Sequence, residues 1–292
     1  MSKPARNVGA SVRSRLLALA RAKGQPFDIL LTRYVLERLL SRLSLSPYRD
    51  RFVLKGALLI TTWFADPHRP TRDLDLLGFG DSSPEAVLAI FREVCGTHAD
   101  DGVTFDVKKL RIDLIREELE YGGVRLRTVA SVSGARITVV VDIGFGDAVE
   151  PGLEEIDLPV LLDFPPPHLR AYPRETVIAE KFQAMVALGR ANSRMKDFYD
   201  LWVLIKGYEF EPDRLTKAIA ATFGRRRTAI PTEVPDALSR EFGRDTGKRQ
   251  QWDAFVRDLA VNPGPLDSVV EDLAAFLMPI ATSARALVRN VS

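Results

Sequence analysis

The first half of the chain alternates between helical and strand-like patterns of apolar residues. Apolar positions recur at helical spacing over residues 12–22 and 29–43, which predicts two amphipathic helices, and a third is expected over residues 56–64. Ser83 as an N-cap followed by Pro84 at the first helical position predicts another helix, which runs to about residue 95. Along the sequence, these predicted helices lie before and between the segments in which apolar residues alternate.

Alternation and β-branched residues predict several strands. The segment 73–77 is apolar at alternate positions, and further strands are expected over 103–107, 124–132 and 137–143. Ser133-Gly134-Ala135 separates the last two, which predicts a hairpin. Because residues 137–141 are almost all apolar and β-branched, we expect a central strand that is buried on both faces.

The second half of the chain is predicted to be helical. Pro165-Pro166-Pro167 reads as a linker, and helical patterns follow over residues 174–189, 195–205, 212–223, 235–242, 249–259 and 265–277. We therefore predict an α+β fold in three parts, with a mixed sheet followed by a helical bundle. The expected parts are N-terminal helices packing on the core (1–51), the mixed core (52–164) and a C-terminal helical domain (165–292).

Composition excludes several classes of protein. Apolar residues make up 46% and charged residues 27% of the 292 residues, as in ordinary globular proteins. The single cysteine, Cys95, excludes an internal disulfide and argues against a structural zinc site. No apolar run approaches the roughly 20 residues of a membrane span, and the N-terminal residues do not resemble a signal peptide. We expect a cytoplasmic protein with no membrane partner.

Charge is distributed unevenly although the formal net charge is only +2. Residues 1–51 carry eleven Lys or Arg against three Asp or Glu. A second basic cluster comprises Arg190, Arg194 and Lys196, and a third is Arg225-Arg226-Arg227. Basic segments on either side of an acidic centre suit a polyanionic partner beside a metal site. The alternative is that these residues are solvated helix faces.

Asp73 and Asp75 are the first candidate site residues. Side chains alternate along a strand, so both carboxylates project from one face while Leu74 projects from the other. Two carboxylates this close repel each other unless a cation lies between them or one is protonated. Magnesium binds through one or two carboxylates and substrate phosphates, so the pattern indicates a metal site for phosphoryl chemistry, with an exposed strand end as the alternative.

Two further features occur in a fixed order around this strand. Lys55-Gly56 precedes it by the length of a helix, and glycine lets the backbone approach a phosphate closely. Asp142 ends an apolar strand, where a carboxylate is costly unless it is paired or binds a cation. The alternative for Asp142 is a cap on the turn at residues 144–146.

The ordered motifs resemble those of the AbiEii nucleotidyltransferase family, the toxins of abortive-infection and type IV toxin–antitoxin systems. The likeness extends from about Phe52 to Trp202. It rests on Lys55-Gly56-Ala57 with Arg69-Pro70-Thr71-Arg72-Asp73-Leu74-Asp75, on Val139-Val140-Val141-Asp142-Ile143-Gly144, on Tyr172-Pro173-Arg174-Glu175 through Ala179-Glu180-Lys181, and on Arg194-Met195-Lys196-Asp197-Phe198-Tyr199-Asp200-Leu201.

The resemblance implies a polymerase-beta-like nucleotidyltransferase core and assigns roles to individual residues. Asp73 and Asp75 would hold Mg²⁺, with Mn²⁺ as an alternative, and Asp142 would ligate the metal or activate the acceptor hydroxyl. Lys55 and Lys181 would contact the triphosphate of a nucleoside triphosphate, and Asp200 would be a functional residue. The implied nucleotide-binding set is completed by Gly56, Ala57, Thr71 and Arg72.

Some of these residues have an alternative explanation or depart from the family pattern. Lys181 lies on an apolar helix face, from which it reaches either a phosphate or solvent. Asp200 stands at helical spacing from Lys196, with which it could simply pair. Ala57 occupies a position where the family often has Gly or Ser, so Thr71 is a candidate for the missing hydroxyl.

The resemblance also implies the partners. The acceptor would be RNA, specifically the 3′ end of tRNA, whose extension would block aminoacylation and translation. A cognate antitoxin would control the protein, which we expect to be a monomer. Two other functions remain open from the sequence: nucleotidyl transfer to a protein hydroxyl, and non-catalytic regulation through RNA or partner binding.

Overall fold

The computed structural model describes residues 7–64, 69–115 and 122–291. The chain forms two compact units, and each is built from separate stretches of sequence. The first unit comprises Met1–Ala65, Pro70–Gly146 and Glu154–Ala171. The second unit comprises Asp66–Arg69, Asp147–Leu153 and Tyr172–Ser292.

A mixed sheet forms the centre of the first unit. Its eight strands are β1 (Phe52–Lys55), β2 (Asp73–Gly78), β3 (Val103–Phe105), β4 (Arg111–Ile115), β5 (Gly123–Val132), β6 (Ala135–Phe145), β7 (Glu154–Asp157) and β8 (His168–Ala171). The strand order is β3-β5-β6-β2-β1-β8-β7, and β4 pairs with β5 beside β3. The pairs β2–β6 and β1–β8 are parallel, whereas the remaining pairs are antiparallel.

Helices cover one face of this sheet. The helices of the first unit are α1 (Val8–Lys23), α2 (Phe27–Ser44), α3 (Gly56–Ile60) and α4 (Pro84–Gly96), and α1, α2 and α4 all contact sheet strands. Ser83 caps α4 by accepting a hydrogen bond from the Ala86 amide, as its position before Pro84 predicted. The apolar sides of these helices and of the sheet form the core of the unit.

The other sheet face is more open, which corrects one expectation. Along β6, Val139 and Val141 are buried, but Thr138 is exposed and Val140 is half-buried. The prediction that residues 137–141 are buried on both faces is therefore wrong. Although β6 lies inside the sheet between β5 and β2, only the helix-covered face of this strand is consistently buried.

The predicted hairpin between β5 and β6 is present, with a two-residue turn. Ser133 and Gly134 both have positive φ, at 46° and 82°, and Val132 pairs with Ala135. A tight turn of this kind fixes the register of both long strands, because each residue added to one side shifts every cross-strand pair. Ala135 thus belongs to β6 and not to the turn.

The sheet continues past the triple proline at which the sequence analysis divided the chain. Strand β8 follows Pro165-Pro166-Pro167 and pairs with β1 on one side and β7 on the other. The pattern of apolar residues does not predict β1, β4, β7 or β8, which have only four or five residues each. Strands this short leave little alternation to detect.

The second unit is helical. Its helices are α5 (Arg174–Leu188), α6 (Met195–Gly207), α7 (Pro212–Arg225), α8 (Arg240–Arg244), α9 (Thr246–Val256) and α10 (Leu266–Val291). Aromatic pairs such as Phe182 with Phe223, whose ring centroids are 5.3 Å apart, form its core. The mixed sheet and the following helical bundle confirm the predicted fold class.

A buried ion pair ties α2 to the segment that leads into β3. Arg42 donates to both carboxylate oxygens of Asp101, at 2.8 and 3.1 Å, and both side chains are almost fully buried. Arg42 also donates to the Thr97 and Val103 carbonyl oxygens. These acceptors therefore compensate the cost of burying the guanidinium charge inside the unit.

We expect Asp101→Ala to lower the free energy of unfolding by about 3–5 kcal/mol, because it leaves the buried Arg42 guanidinium without its counterion. The control is Asp100→Ala, which removes a neighbouring but exposed carboxylate. Urea denaturation of both variants measures the difference. Equal stability of the two variants would contradict the importance of this ion pair.

Candidate active site

Four adjacent strands align charged side chains in a row across the open face of the sheet. Asp75 on β2 pairs with Lys55 on β1 and with Asp142 on β6, and Asp142 pairs with Arg125 on β5. Residues in register on neighbouring strands point to the same face of a sheet. Asp73 lies two residues before Asp75 and shares this face. The register thus places three carboxylates and two cations on one surface.

The opposite side of β2 holds the carboxylates in a fixed position. Leu74 and Leu76 are buried almost completely in the core of the unit, whereas Asp75 is half-buried and Asp73 is exposed. A slip of one residue in the β2 register would bury the carboxylates and expose the leucines. The apolar residues of β2 therefore determine which face carries the acids.

Arg125 is the counterion of Asp142. Its Nε and Nη2 atoms each lie 2.6 Å from a carboxylate oxygen of Asp142, which makes the pair bidentate. The hydrogen bond to Asp142 contributes most to raising the pKa of Arg125. Burial lowers this pKa, whereas the negative charges of Asp142, Asp73 and Asp75 raise it further. All three carboxylates therefore contribute to the raised pKa of Arg125. No motif or spacing in the sequence points to Arg125.

Gly56 has a structural role beside Asp75. Its φ of 73° lies in the left-handed region, and a Cβ at this position would overlap the Asp75 carboxylate. Glycine is therefore required both by the backbone conformation and by the close approach to an acidic side chain. Ala57 follows it in the five-residue helix α3. The expected contacts of Gly56 and Ala57 with nucleotide remain predictions.

Thr71 and Arg72 lie just before β2. The Thr71 hydroxyl donates to the Asp73 carbonyl oxygen at 3.2 Å, which shapes the entry into the strand. Arg72 Nη2 lies 2.6 Å from an Asp28 carboxylate oxygen on α2, and both side chains are mostly exposed. That Thr71 and Arg72 bind nucleotide remains a prediction. To do so, Arg72 would have to release Asp28.

The residues on this face fit a magnesium ion through two carboxylates. Magnesium often binds through one or two protein carboxylates and completes its shell with phosphates and water, and Asp73 and Asp75 supply two carboxylates on one face. Within the described part of the chain, no three Asp, Glu, His or Cys residues are grouped closely enough to hold one ion. Asp142 as a third ligand remains a prediction, and it would first have to release Arg125.

A second charged cluster lies within the helical unit. Lys181 Nζ on α5 lies 2.7 Å from Asp197 and 2.8 Å from Asp200, both on α6. Arg69 forms a bidentate pair with Asp200, at 2.6 and 2.8 Å. Lys196 is exposed. The described partners of Asp200 are thus Lys181 and Arg69 instead of Lys196, the partner that helical spacing had suggested.

Burial and charge act in opposite directions in this cluster. Burial opposes the charged form of Lys181, but Asp197 and Asp200 outweigh it and raise the pKa of the ammonium group above its ordinary value. Burial likewise opposes ionisation of Asp200, but Lys181 and Arg69 lower its pKa to about 2. Both side chains are therefore charged at neutral pH, and Lys181 is held by two carboxylates and does not extend to solvent.

Arg226 belongs to a third network, also within the helical unit. Its guanidinium group lies 2.9 Å from Gln183, 3.0 Å from Glu180 and 3.3 Å from Asp147. In the sequence, Arg225, Arg226 and Arg227 form one basic cluster. Of these three side chains, Arg226 is mostly buried, whereas Arg225 and Arg227 are exposed. A surface that binds a polyanion here would therefore lack Arg226.

Comparison with solved structures identifies the class of fold. A putative nucleotidyltransferase from H. pylori is 16% identical and aligns over 88% of this chain and 96% of its own, with a TM-score of 0.52. JHP933 from Helicobacter pylori is 15% identical, aligns over 90% of this chain and 96% of its own, and has a TM-score of 0.48. The first of these matches shows that the chain has a nucleotidyltransferase fold.

Comparison with family models identifies the family. The model described as "Nucleotidyl transferase AbiEii toxin, Type IV TA system" matches residues 38–277, which is most of the chain. The chain therefore belongs to the AbiEii nucleotidyltransferase toxin family, and the resemblance inferred from its motifs is confirmed. A comparison with curated proteins finds no match. No helix in the described ranges is long and apolar enough to cross a membrane.

We expect Gly56→Ala to lower the free energy of unfolding by more than Gly134→Ala does. Both substitutions place a Cβ on a residue with positive φ, at a cost of about 1–2 kcal/mol. Only the Cβ at residue 56 meets a neighbour, Asp75, which adds about 1–3 kcal/mol. Chemical denaturation of the two variants measures this difference. An equal loss would show that Gly56 is required by its backbone conformation alone.

The low pKa of Asp200 predicts a stability difference that depends on pH. Its carboxylate stabilises the fold above the unfolded-state pKa of about 4, and this contribution is lost as pH falls through its folded-state pKa of about 2. We expect the stability gap between the native protein and Asp200→Asn to shrink by about 2–3 kcal/mol from pH 5 to pH 2. Asp253→Asn, at an exposed site, is the control. A constant gap for Asp200→Asn would contradict the ion-pair assignment.

Proposed function

We propose that this protein transfers nucleotides from a nucleoside triphosphate to RNA, with the 3′ end of tRNA as the acceptor. The observation that carries the proposal is the row of Asp73, Asp75 and Asp142 on one sheet face in a member of a nucleotidyltransferase toxin family. Extending the acceptor end would block aminoacylation and translation in the cytoplasm. Membership in a toxin–antitoxin family also implies an antitoxin partner.

The reaction follows from the chemistry of these side chains. Asp73 and Asp75 would hold Mg²⁺, which when bound neutralises charge on the triphosphate. The acceptor hydroxyl oxygen attacks the α-phosphorus and forms a new P–O bond, while the bond from that phosphorus to the leaving oxygen breaks and pyrophosphate departs. Asp142 would accept the proton of the hydroxyl, and Arg125 keeps its carboxylate oriented through the bidentate pair.

Two lysines are proposed to contact the triphosphate. Lys55 is in register with Asp75, so its backbone position places it on the face that carries the carboxylates. Lys181 is held as a cation by Asp197 and Asp200, and it would have to exchange one of these partners for a phosphate oxygen. Asp200 is proposed to position Lys181 in this role, because its carboxylate binds Lys181 and Arg69 together.

Two other functions predict different products. Transfer to a protein hydroxyl would label a polypeptide and leave RNA unchanged. A regulator without catalysis would consume no nucleotide. The three carboxylates on one face favour catalysis, because they repel one another and offer no benefit to a protein that only binds.

We expect Asp73→Asn and Asp75→Asn each to reduce nucleotidyl transfer by at least about 1,000-fold, because each removes a metal-binding charge while retaining the shape of the side chain. Asp100→Asn, which changes an exposed acid of the same unit, should remain active. The measurement is incorporation of each radiolabelled nucleoside triphosphate in the presence of Mg²⁺, total tRNA and cell protein, with the products separated by size and by nuclease treatment.

Three results would contradict the proposal in different ways. Label in protein alone would assign the acceptor to a polypeptide. No incorporation with any nucleotide would favour a regulator. Incorporation that survives either substitution at saturating Mg²⁺ would show that the metal-binding residues lie elsewhere.

A further inference from the structure

The sheet face that carries the carboxylates continues as a basic surface to the edge of the sheet. On β6, Arg136 is separated from Asp142 by an even number of residues and so shares its face. On β5, Arg127 shares the face of Arg125 for the same reason, and Arg111 on β4 is in register with Arg127. Arg111, Arg127 and Arg136 are all exposed.

A groove lies at the edge-strand end of this surface. It has a volume of about 580 Å³. Its lining includes the apolar residues Val107 and Val129, the acid Asp106 and the basic residues Lys108, Lys109 and Arg136. Grooves of roughly 300–1,000 Å³ with apolar walls and a few polar groups are typical of sites for small organic groups such as a nucleotide. The walls offer contacts to a base or sugar, and the three cations offer contacts to phosphate.

Positive charge predominates along this surface. The exposed cations are Lys108, Lys109, Arg111, Arg127 and Arg136. Among the residues that the structure describes, two acids pair with these cations: Asp113 forms an ion pair with Arg127, and Asp106 lies 3.7 Å from the Lys109 ammonium. Lys108, Arg111 and Arg136 therefore provide positive charge beyond these two pairs, as a surface for a polyanion requires.

The length of the surface suits a strand of several nucleotides. Arg136 precedes Asp142 by six residues of one strand, a distance of about 20 Å at 3.3 Å per residue. At about 3.4 Å per stacked nucleotide of one strand, roughly six nucleotides cover this distance. A single triphosphate is too short to contact both ends. The spread of the cations thus favours a polynucleotide over a second mononucleotide.

We propose that this basic surface binds the backbone of single-stranded RNA and directs its 3′ end toward Asp73, Asp75 and Asp142, with one upstream nucleotide in the groove between Lys108 and Arg136. The proposal rests on the proposed RNA acceptor and adds a surface for about six nucleotides. Phosphates contact the cations, and the apolar groove walls contact a base without reading its sequence.

The test compares two double substitutions with the same change in charge. The groove variant, Lys108→Glu with Arg136→Glu, reverses the charge of two residues that line the groove. The control variant, Arg92→Glu with Arg249→Glu, reverses the charge of two exposed residues on helices. The measurements are extension of total tRNA and binding of labelled RNA oligonucleotides of three and eight nucleotides over a salt series. Circular dichroism and urea denaturation verify that both variants fold.

For the groove variant, we expect the KM for RNA to rise at least about 10-fold while the KM for nucleotide stays within about twofold of the native value. The slope of log affinity against log salt should fall by about 1.4, at about 0.7 for each of two lost contacts with a single strand. The native protein should bind the eight-nucleotide RNA more tightly than the three-nucleotide RNA, and the groove variant should lose this difference. The control variant should behave as the native protein does.

The other outcomes would contradict either the proposed RNA-binding surface or the proposed function. If the native protein extends RNA and the groove variant matches the control, the basic surface is not the RNA site. If the native protein labels no RNA, the proposed function itself fails, whatever the groove variant binds.

Discussion

The alignment of β2 with β6 is the constraint on which the candidate site depends. It places Asp75 beside Asp142, and it brings Asp73 onto the same face, so that like charges accumulate on one surface. Such an arrangement is unfavourable unless cations compensate it. Arg125 compensates Asp142 directly, and the strand register places Lys55 on the same face. We propose that this arrangement receives a further cation and an anionic substrate together.

Hydrophobic burial is what maintains this alignment. Alternate residues of β2 and β6, such as Leu74, Leu76 and Val141, lie in the core beneath the helices, so the charged residues between them must face outward. Gly56 allows the backbone of α3 to approach Asp75, which a larger residue would prevent. In the helical unit, the single carboxylate of Asp200 forms ion pairs with two cations, Lys181 and Arg69. Each unit therefore surrounds a fixed carboxylate with compensating charge.

Elements with a long pattern of apolar residues could be predicted from the sequence. Elements that depend on pairing with other strands could not. The α+β class, the hairpin and the shared face of Asp73 and Asp75 all follow from local periodicity. Strands of four or five residues, such as β1 and β8, are held by their neighbours, and their own pattern is too short to detect. Arg125 was missed because its role depends on the register, which moves by one residue if Ala135 is assigned to the turn instead of to β6. The partners of Lys181, Asp197 and Asp200, likewise lie on a different helix, and Asp200 also pairs with Arg69, more than one hundred residues away in sequence.

The most direct test of the account is to locate the metal and the nucleotide on the protein. Crystals grown with Mn²⁺ and a non-hydrolysable nucleoside triphosphate allow the metal to be identified by its anomalous scattering. The account predicts an anomalous peak in contact with the carboxylates of Asp73 and Asp75, with the triphosphate bound to the same ion. A nucleotide bound away from this sheet face, with no metal at Asp73 or Asp75, would contradict it.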